Sequence, residues 1–103
     1  DGLDREKWME AVKAEGIFCH SGYSLPVYQQ PIFKEKSFFP GMREKLEKKY
    51  LVNYSQVSLA ETEKACQEES VWLPQWLLYS SNDFIKKVAD GIEKVCVNYK
   101  ELL

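Results

Sequence analysis

The sequence predicts an α+β domain in which helices pack on one face of a small sheet. The strongest observation is an apolar stripe at alternating spacings of three and four residues, formed by Ile85, Val88, Ile92, Val95, Tyr99 and Leu102. Two short apolar segments without helix signals, at 17–19 and 71–73, are typical of strands. Helix-start signals at Asp4 and Ser58 complete the pattern. Since two strands alone make a marginal sheet, we expect two to three short strands.

The first predicted helix runs from an N-cap at Asp4 to about Glu15. This span places Trp8 and Val12 on one face, as expected for a helix that packs on a core. Gly16 stands where a left-handed residue commonly ends a helix. The segment 17–19 is then expected to leave the helix as the first short strand.

A long ordered loop is predicted over 21–39, because glycine and two prolines interrupt the pattern there. Loops of this length in compact domains are usually functional or pack on a partner. Pro40-Gly41 predicts a turn, and 42–50 can form one or two helical turns. The segment 51–57 is interpreted as irregular structure.

The remaining elements follow from caps and prolines. Ser58 and Glu61 have the spacing of a capping box, which predicts a helix to about Glu69. A second strand at 71–73 is stopped by Pro74, which has no backbone N–H to donate. The final helix carries the apolar stripe and begins at one of three candidate caps, Ser80, Ser81 or Asn82.

Composition sets limits on the class of protein. A chain of 103 residues with 45% hydrophobic and 29% charged residues is expected to form a single domain over 1–103. A net charge of -2 gives no electrostatic reason to expect a nucleic-acid partner. Because no apolar stretch approaches the ~20 residues that span a bilayer, we expect no membrane partner.

The cysteines indicate the compartment. Cys19, Cys66 and Cys96 are odd in number and widely spaced, and no CxxC pair is present. This pattern argues against a disulfide framework and against structural zinc, so no metal site is predicted. We interpret all three as reduced thiols of a cytoplasmic protein, with Cys66 and Cys96 as small core residues.

Two segments of the sequence carry a family resemblance. The first is the run Gly16-Ile17-Phe18-Cys19-His20-Ser21-Gly22-Tyr23 and its continuation through Pro26, Tyr28 and Pro31-Ile32-Phe33. The second is Val71-Trp72-Leu73-Pro74-Gln75-Trp76-Leu77-Leu78, which follows Thr62-Glu63-Lys64-Ala65-Cys66. In order and spacing they resemble the C-terminal small domain of the DegT/DnrJ/EryC1/StrS aminotransferases. These enzymes use pyridoxal phosphate (PLP) to aminate keto-sugars and keto-cyclitols.

The resemblance implies a fold and a place in a larger enzyme. It covers nearly all of this chain but only about the last quarter of a typical family member. The implied fold is the small C-terminal domain of a fold-type I PLP aminotransferase, lacking its first strand. The implied partners are the N-terminal large domain of the same polypeptide and a second copy of the whole enzyme in a homodimer.

The resemblance also implies where the chemistry lies. The Schiff-base lysine and the other PLP-binding residues of the family lie mainly in the large domain, outside this chain. The full-length enzyme would therefore bind PLP and move an amino group from glutamate or glutamine to a keto-sugar or keto-cyclitol. The chain alone is expected to bind no cofactor, to contain no catalytic residue and to be inactive. Its implied role is to form one wall of the active-site cleft.

The candidate substrate-facing residues are His20, Ser21, Tyr23 and Tyr28. Many sugar aminotransferases of the family carry a His-Tyr pair in this segment, whereas here the pair reads Gly22-Tyr23. The Ser-Gly-Tyr form looks more like the branch that acts on keto-inositols such as scyllo-inosose. His20 could instead be a hydrogen-bonded structural residue. Tyr23 and Tyr28 could equally anchor the loop by packing.

A second function class stays open. The chain could be a free-standing binding module that presents its aromatic loop to a protein or a carbohydrate. An aminotransferase fragment predicts an exposed apolar face around Trp8, Phe38, Phe39 and Trp76, where the large domain would dock. It also predicts an unpaired strand edge. A free-standing module predicts a polar surface.

Overall fold

The computed structural model describes residues 2–35 and 53–103, and these ranges are built from helices. The α-helices are α1 (Arg5–Ala14), α2 (Pro31–Lys34), α3 (Ala60–Lys64), α4 (Gln75–Leu78) and α5 (Asn82–Val97). Three 3-10 helices lie at Val27–Gln29, Tyr54–Gln56 and Tyr99–Leu102, and a π-helical segment at Ala65–Glu69 follows α3. The predicted turn at Pro40-Gly41 and the predicted helical turns at 42–50 lie outside the described residues.

The chain divides into two compact units. The first unit combines Asp1–Gly22 with Glu68–Leu103, and the second unit is Tyr23–Gln67. The first unit therefore takes its elements from two separated segments of the chain, whereas the second is continuous.

The core of the first unit lies where α1, α4 and α5 meet the segment after α1. The buried apolar side chains are Met9, Val12, Ile17, Cys19, Leu77, Val88 and Val95. Each fully buried aliphatic side chain contributes about 1.5–3 kcal/mol relative to an exposed one. Burial raises the pKa of the Cys19 thiol, so this cysteine is a protonated core residue at neutral pH.

Helix α1 begins and ends as the sequence predicts. The Asp4 carboxylate accepts from the amide N–H groups of Glu6 at 2.7 Å and Lys7 at 3.3 Å, and so satisfies two donors of the first turn. At the other end, Gly16 has φ 82°, a left-handed conformation that glycine adopts without a Cβ penalty. Both predicted boundaries are confirmed.

We expect Asp4→Ala to lower the free energy of unfolding by about 1 kcal/mol, because the two amides lose their acceptor. Asp4→Asn retains an acceptor and should stay close to the wild type. Urea unfolding followed by far-UV circular dichroism measures both variants. Equal losses in the two variants would show that the cap does not stabilise α1.

Helix α5 carries the predicted apolar stripe on its inner face. Ser81 is the N-cap, and its hydroxyl accepts from the amide of Phe84 at 3.3 Å. The helix is shorter than predicted, because it ends at Val97 and Tyr99–Leu102 form a 3-10 helix. The side-chain amide of Asn98 donates to the carbonyl of Lys94 at 2.8 Å, which satisfies a carbonyl at the helix end.

The predicted α+β fold is wrong for the described residues, which form no strand. The two predicted strands at 17–19 and 71–73 meet only in one isolated antiparallel bridge between His20 and Trp72. The amide of His20 donates to the carbonyl of Trp72 at 3.0 Å, and the amide of Trp72 donates back at 2.7 Å. The small sheet expected of the aminotransferase domain, with its first strand missing, is not observed in these ranges.

The chain stops this pairing on both sides of the bridge. Gly22 has φ 72° and its amide donates to Nδ1 of His20 at 3.1 Å, so the chain turns directly after the bridge. Pro74, the N-cap of α4, starts a helix two residues after Trp72. A ladder cannot extend past either point. Helices then take the role of the sheet and cover Ile17 and Cys19.

Other sequence-based expectations need correction. The described part of the predicted loop over 21–39 contains the 3-10 helix Val27–Gln29 and helix α2. The predicted capping box of Ser58 and Glu61 is not formed: Leu59 is the N-cap of α3, without a side-chain cap. Cys96 was expected in the core, but it is exposed on α5, and Cys66 is only half-buried. Within the described ranges, no helix is both long and apolar enough to cross a membrane.

Candidate functional site

Four aromatic side chains of the first unit form a connected surface, which we call the aromatic surface: Phe18, His20, Trp72 and Trp76. The ring centroids of Phe18 lie 6.4 Å from those of both His20 and Trp76, and His20 lies 6.0 Å from Trp72. Phe18, Trp72 and Trp76 remain 55%, 45% and 61% exposed. Large aromatic groups grouped and exposed in this way are typical of interaction sites.

Local backbone structure places each of these rings. Ile17 and Cys19 are buried, and the alternation of side chains along the segment turns Phe18 outward. The bridge brings His20 beside Trp72. Trp76 lies on α4, where the adjacent Leu77 is buried in the core and fixes the helix.

The imidazole of His20 is held by the loop that follows it. Its Nδ1 accepts from the amide N–H of Gly22, which leaves the other ring nitrogen as the donor of the neutral side chain. Within the described residues, Nε2 has no hydrogen-bond partner, and His20 is exposed. The ring can therefore offer one directed N–H to a ligand or a partner surface.

Ser21 and Gly22 join the two segments more firmly. The hydroxyl of Ser70 donates to the carbonyl of Ser21 at 3.3 Å, between residues 49 positions apart. Gly22 lies so close to Trp72 that a Cβ atom there would be 2.5 Å from Nε1 of the indole. Glycine is thus required for the close approach of the indole to the backbone.

The four predicted substrate-facing residues do not all lie in one unit. His20 and Ser21 lie in the first unit, whereas Tyr23 and Tyr28 lie in the second. Tyr23 is 68% exposed. Tyr28 is half-buried, and its hydroxyl is engaged by other protein groups.

The hydroxyl of Tyr28 belongs to a cluster of hydrogen bonds, which we call the Tyr28–Glu63 cluster: Tyr28, Gln29, Ser58, Leu59 and Glu63. The phenol donates to Oε1 of Glu63 and accepts from the amide of Leu59 at 3.1 Å and the side chain of Gln29 at 3.4 Å. Oε1 of Glu63 also accepts from the hydroxyl of Ser58 at 3.2 Å and the amide of Leu59 at 3.3 Å.

This cluster shifts two pKa values in opposite directions. Burial, followed by the hydrogen bond to Glu63, raises the pKa of Tyr28. The hydrogen bond from Tyr28 is the largest cause that lowers the pKa of Glu63, and the donors of Leu59 and Ser58 add to it. Tyr28 is therefore a neutral phenol and Glu63 a carboxylate at neutral pH.

The described residues do not fit a PLP site. The cofactor needs an enclosed lysine, an acidic partner for the ring nitrogen and a cradle for the phosphate. Every lysine in residues 2–35 and 53–103 is exposed, and Lys86 and Lys94 form ion pairs with Asp90 and Glu15. Across the same ranges, no group of three or more His, Cys, Asp or Glu side chains could hold a metal ion.

Described residues of the first unit line at least two open grooves. One, of about 320 Å³, lies along α1 and α5 and includes Glu15, Lys94 and Asn98. The other, of about 260 Å³, includes Arg5, Trp8 and Glu68. Neither groove includes His20, Ser21, Tyr23 or Tyr28.

Sequence reasoning missed two residues that matter here. Phe18 could have been found, because it lies between two buried positions of a segment with period-two alternation. Glu63 carries no sequence signal, because its partner Tyr28 lies 35 positions away.

The predicted docking face is observed in part. Trp76 is exposed as expected, whereas Trp8 is half-buried against the core. Phe38 and Phe39 lie outside the described residues.

A scan against protein-family models finds no match, and neither a curated protein nor a solved structure is significantly similar to the chain.

Proposed function

We propose that this chain is part of a PLP-dependent aminotransferase of the DegT/DnrJ/EryC1/StrS type and forms one wall of its active-site cleft. The whole enzyme would transfer an amino group from glutamate or glutamine to a keto-sugar or a keto-cyclitol. The supporting observation is the His20–Trp72 bridge, because it joins the two segments on which the resemblance depends. Ser70 and Ser21 tie the same segments together.

In this proposal the aromatic surface contacts the N-terminal large domain or the substrate. His20 offers its outer N–H to a hydroxyl or carbonyl oxygen, and Ser21 holds the loop. Tyr23 is exposed and can reach a ligand, whereas Tyr28 anchors the second unit through its hydroxyl. PLP would be held by residues elsewhere in a longer polypeptide, which we propose to be a cytoplasmic homodimer.

A binding module is the second candidate, and the packing of the core within the first unit favours it. The buried residues of the first unit pack against one another and against its own helices. The aromatic surface would then bind a protein or a carbohydrate directly. This candidate requires the chain to be stable without any partner domain.

The deciding experiment is to purify the natural polypeptide that contains this sequence and to record its mass and its visible absorption. We expect a much longer chain than 12.0 kDa, with the absorption band of bound PLP. Addition of glutamate or glutamine should change that band. A natural product of 12.0 kDa without the band would contradict the aminotransferase and support the binding module.

A further inference from the structure

The Tyr28–Glu63 cluster joins two distant parts of the second unit. Its hydrogen bonds connect the 3-10 helix Val27–Gln29 to the start of α3, across 35 positions of the chain. Donors from Tyr28, Ser58 and Leu59 converge on one carboxylate oxygen. The cluster therefore combines a link between elements with two groups that can gain or lose a proton.

We propose that Tyr28 and Glu63 form a two-sided proton switch, which holds the 3-10 helix Val27–Gln29 to α3 most firmly while the phenol is protonated and the carboxylate is ionised. A protonated Glu63 is a poorer acceptor for three converging donors. A deprotonated Tyr28 has no proton to donate and repels the carboxylate. Each proton transfer thus weakens the same link from a different side of neutral pH, while the amide of Leu59 can still donate to the oxygen of Tyr28.

The direction of each pKa shift agrees with this switch. The pKa of Glu63 is lowered by its hydrogen bonds, so its contribution to stability is present above the pKa of an unfolded glutamate and is lost as the pH falls through the folded value. The pKa of Tyr28 is raised by burial and by Glu63. Its contribution is present below the pKa of an unfolded tyrosine and is lost as the pH rises through the folded value.

Few other groups affect the protonation of Glu63 and Tyr28. In the part of the chain that the structure describes, the groups that shift the pKa of Glu63 are Tyr28, Leu59, Ser58 and Gln29, of which only Tyr28 titrates. Glu61 and Lys64 on α3, and Lys34 and Tyr54 on the other elements of the second unit, contribute to neither shift. The acid transition therefore reports Glu63, and the alkaline transition reports Tyr28.

The Leu59 amide is a direct reporter, because it donates to both Tyr28 and Glu63. We would follow its ¹⁵N chemical shift over pH in the full chain and in three variants, with carbon-detected spectra at alkaline pH, where amide protons exchange too fast to be observed. In the wild type we expect an acid step below the usual glutamate range and an alkaline step. Glu63→Gln keeps an acceptor oxygen and should remove the acid step. Tyr28→Phe should move the acid step upward, towards the usual range, and remove the alkaline step.

Glu61→Gln is the matched control, because Glu61 is an exposed carboxylate on the same helix. It should leave both steps unchanged. Limited proteolysis of the second unit should accelerate below the acid step in the wild type, but not in Glu63→Gln. An acid step that persists in Glu63→Gln, or cleavage that follows pH equally in both proteins, would overturn the switch. None of these outcomes depends on aminotransferase activity.

Discussion

Leu77→Ala is expected to lower the free energy of unfolding by about 2–5 kcal/mol. Leu77 is 1% exposed and lies in α4, within the core that Val12 and Cys19 share. The substitution removes buried methyl groups and leaves a cavity that neighbouring helices fill only in part. Since small domains have a total stability of about 5–15 kcal/mol, this is a large fraction of the whole.

The adjacent residue provides the control. Leu78 follows Leu77 in the same helix but is 54% exposed, so Leu78→Ala should change the stability by less than about 0.5 kcal/mol. Urea unfolding followed by circular dichroism measures both variants, with the slope against denaturant checked for equality. Similar losses in the two variants would mean that α4 does not pack as described.

Gly22→Ala is expected to destabilise the first unit through two separate effects. Gly22 has φ 72°, and a non-glycine residue in this left-handed region costs about 1–2 kcal/mol. In addition, the new Cβ would lie 2.5 Å from Nε1 of Trp72, so the indole must move. Such overpacking typically costs a further ~1–3 kcal/mol. We also expect a change in tryptophan fluorescence, because the environment of Trp72 changes.

Gly16→Ala separates the two effects. Gly16 has φ 82°, but nothing lies within 4 Å of the position that a Cβ atom would take. This variant should carry only the backbone cost, and it should leave the tryptophan spectrum unchanged. If both variants lose the same stability and neither alters the spectrum, Gly22 does not set the position of Trp72.

The helical part of the fold could be predicted from local chemistry. Asp4 and Ser81 are caps whose side chains accept from the first-turn amides, and the stripe of α5 follows the helical period. These signals lie within a few residues of the structure that they specify. The end of α5 at Val97 was not predictable, because Tyr99 and Leu102 continue the apolar spacing of the helix. The structure places these two residues in a 3-10 helix instead.

The prediction of strands at 17–19 and 71–73 was wrong, because the length of a strand ladder depends on both paired segments and not on either one alone. Ile17 and Cys19 alternate with Phe18 as they would in a strand, and the structure keeps that alternation. A short apolar segment, however, does not say how long its ladder is. Gly22 and Pro74 limit the pairing of these segments to His20 and Trp72.

The candidate residues could be chosen from the sequence, but their contacts could not be predicted. The sequence pointed to the segment that contains His20 and Ser21, and these residues do lie at the junction of the two segments. The role of Tyr28 stayed open between a ligand contact and an anchor, since no local pattern identifies Glu63 as its acceptor. The hydrogen bonds of Tyr28 in the structure are those of an anchor.

The first unit is built from two separated segments of the chain, and this affects how it can fold during synthesis on the ribosome. Residues 2–22 have their partners in 68–103, so they must wait until α5 has left the exit tunnel. The continuous second unit meets no such delay. Because contacts between distant segments are slow to form, α1 and the apolar segment after it remain exposed to chaperones and proteases during synthesis.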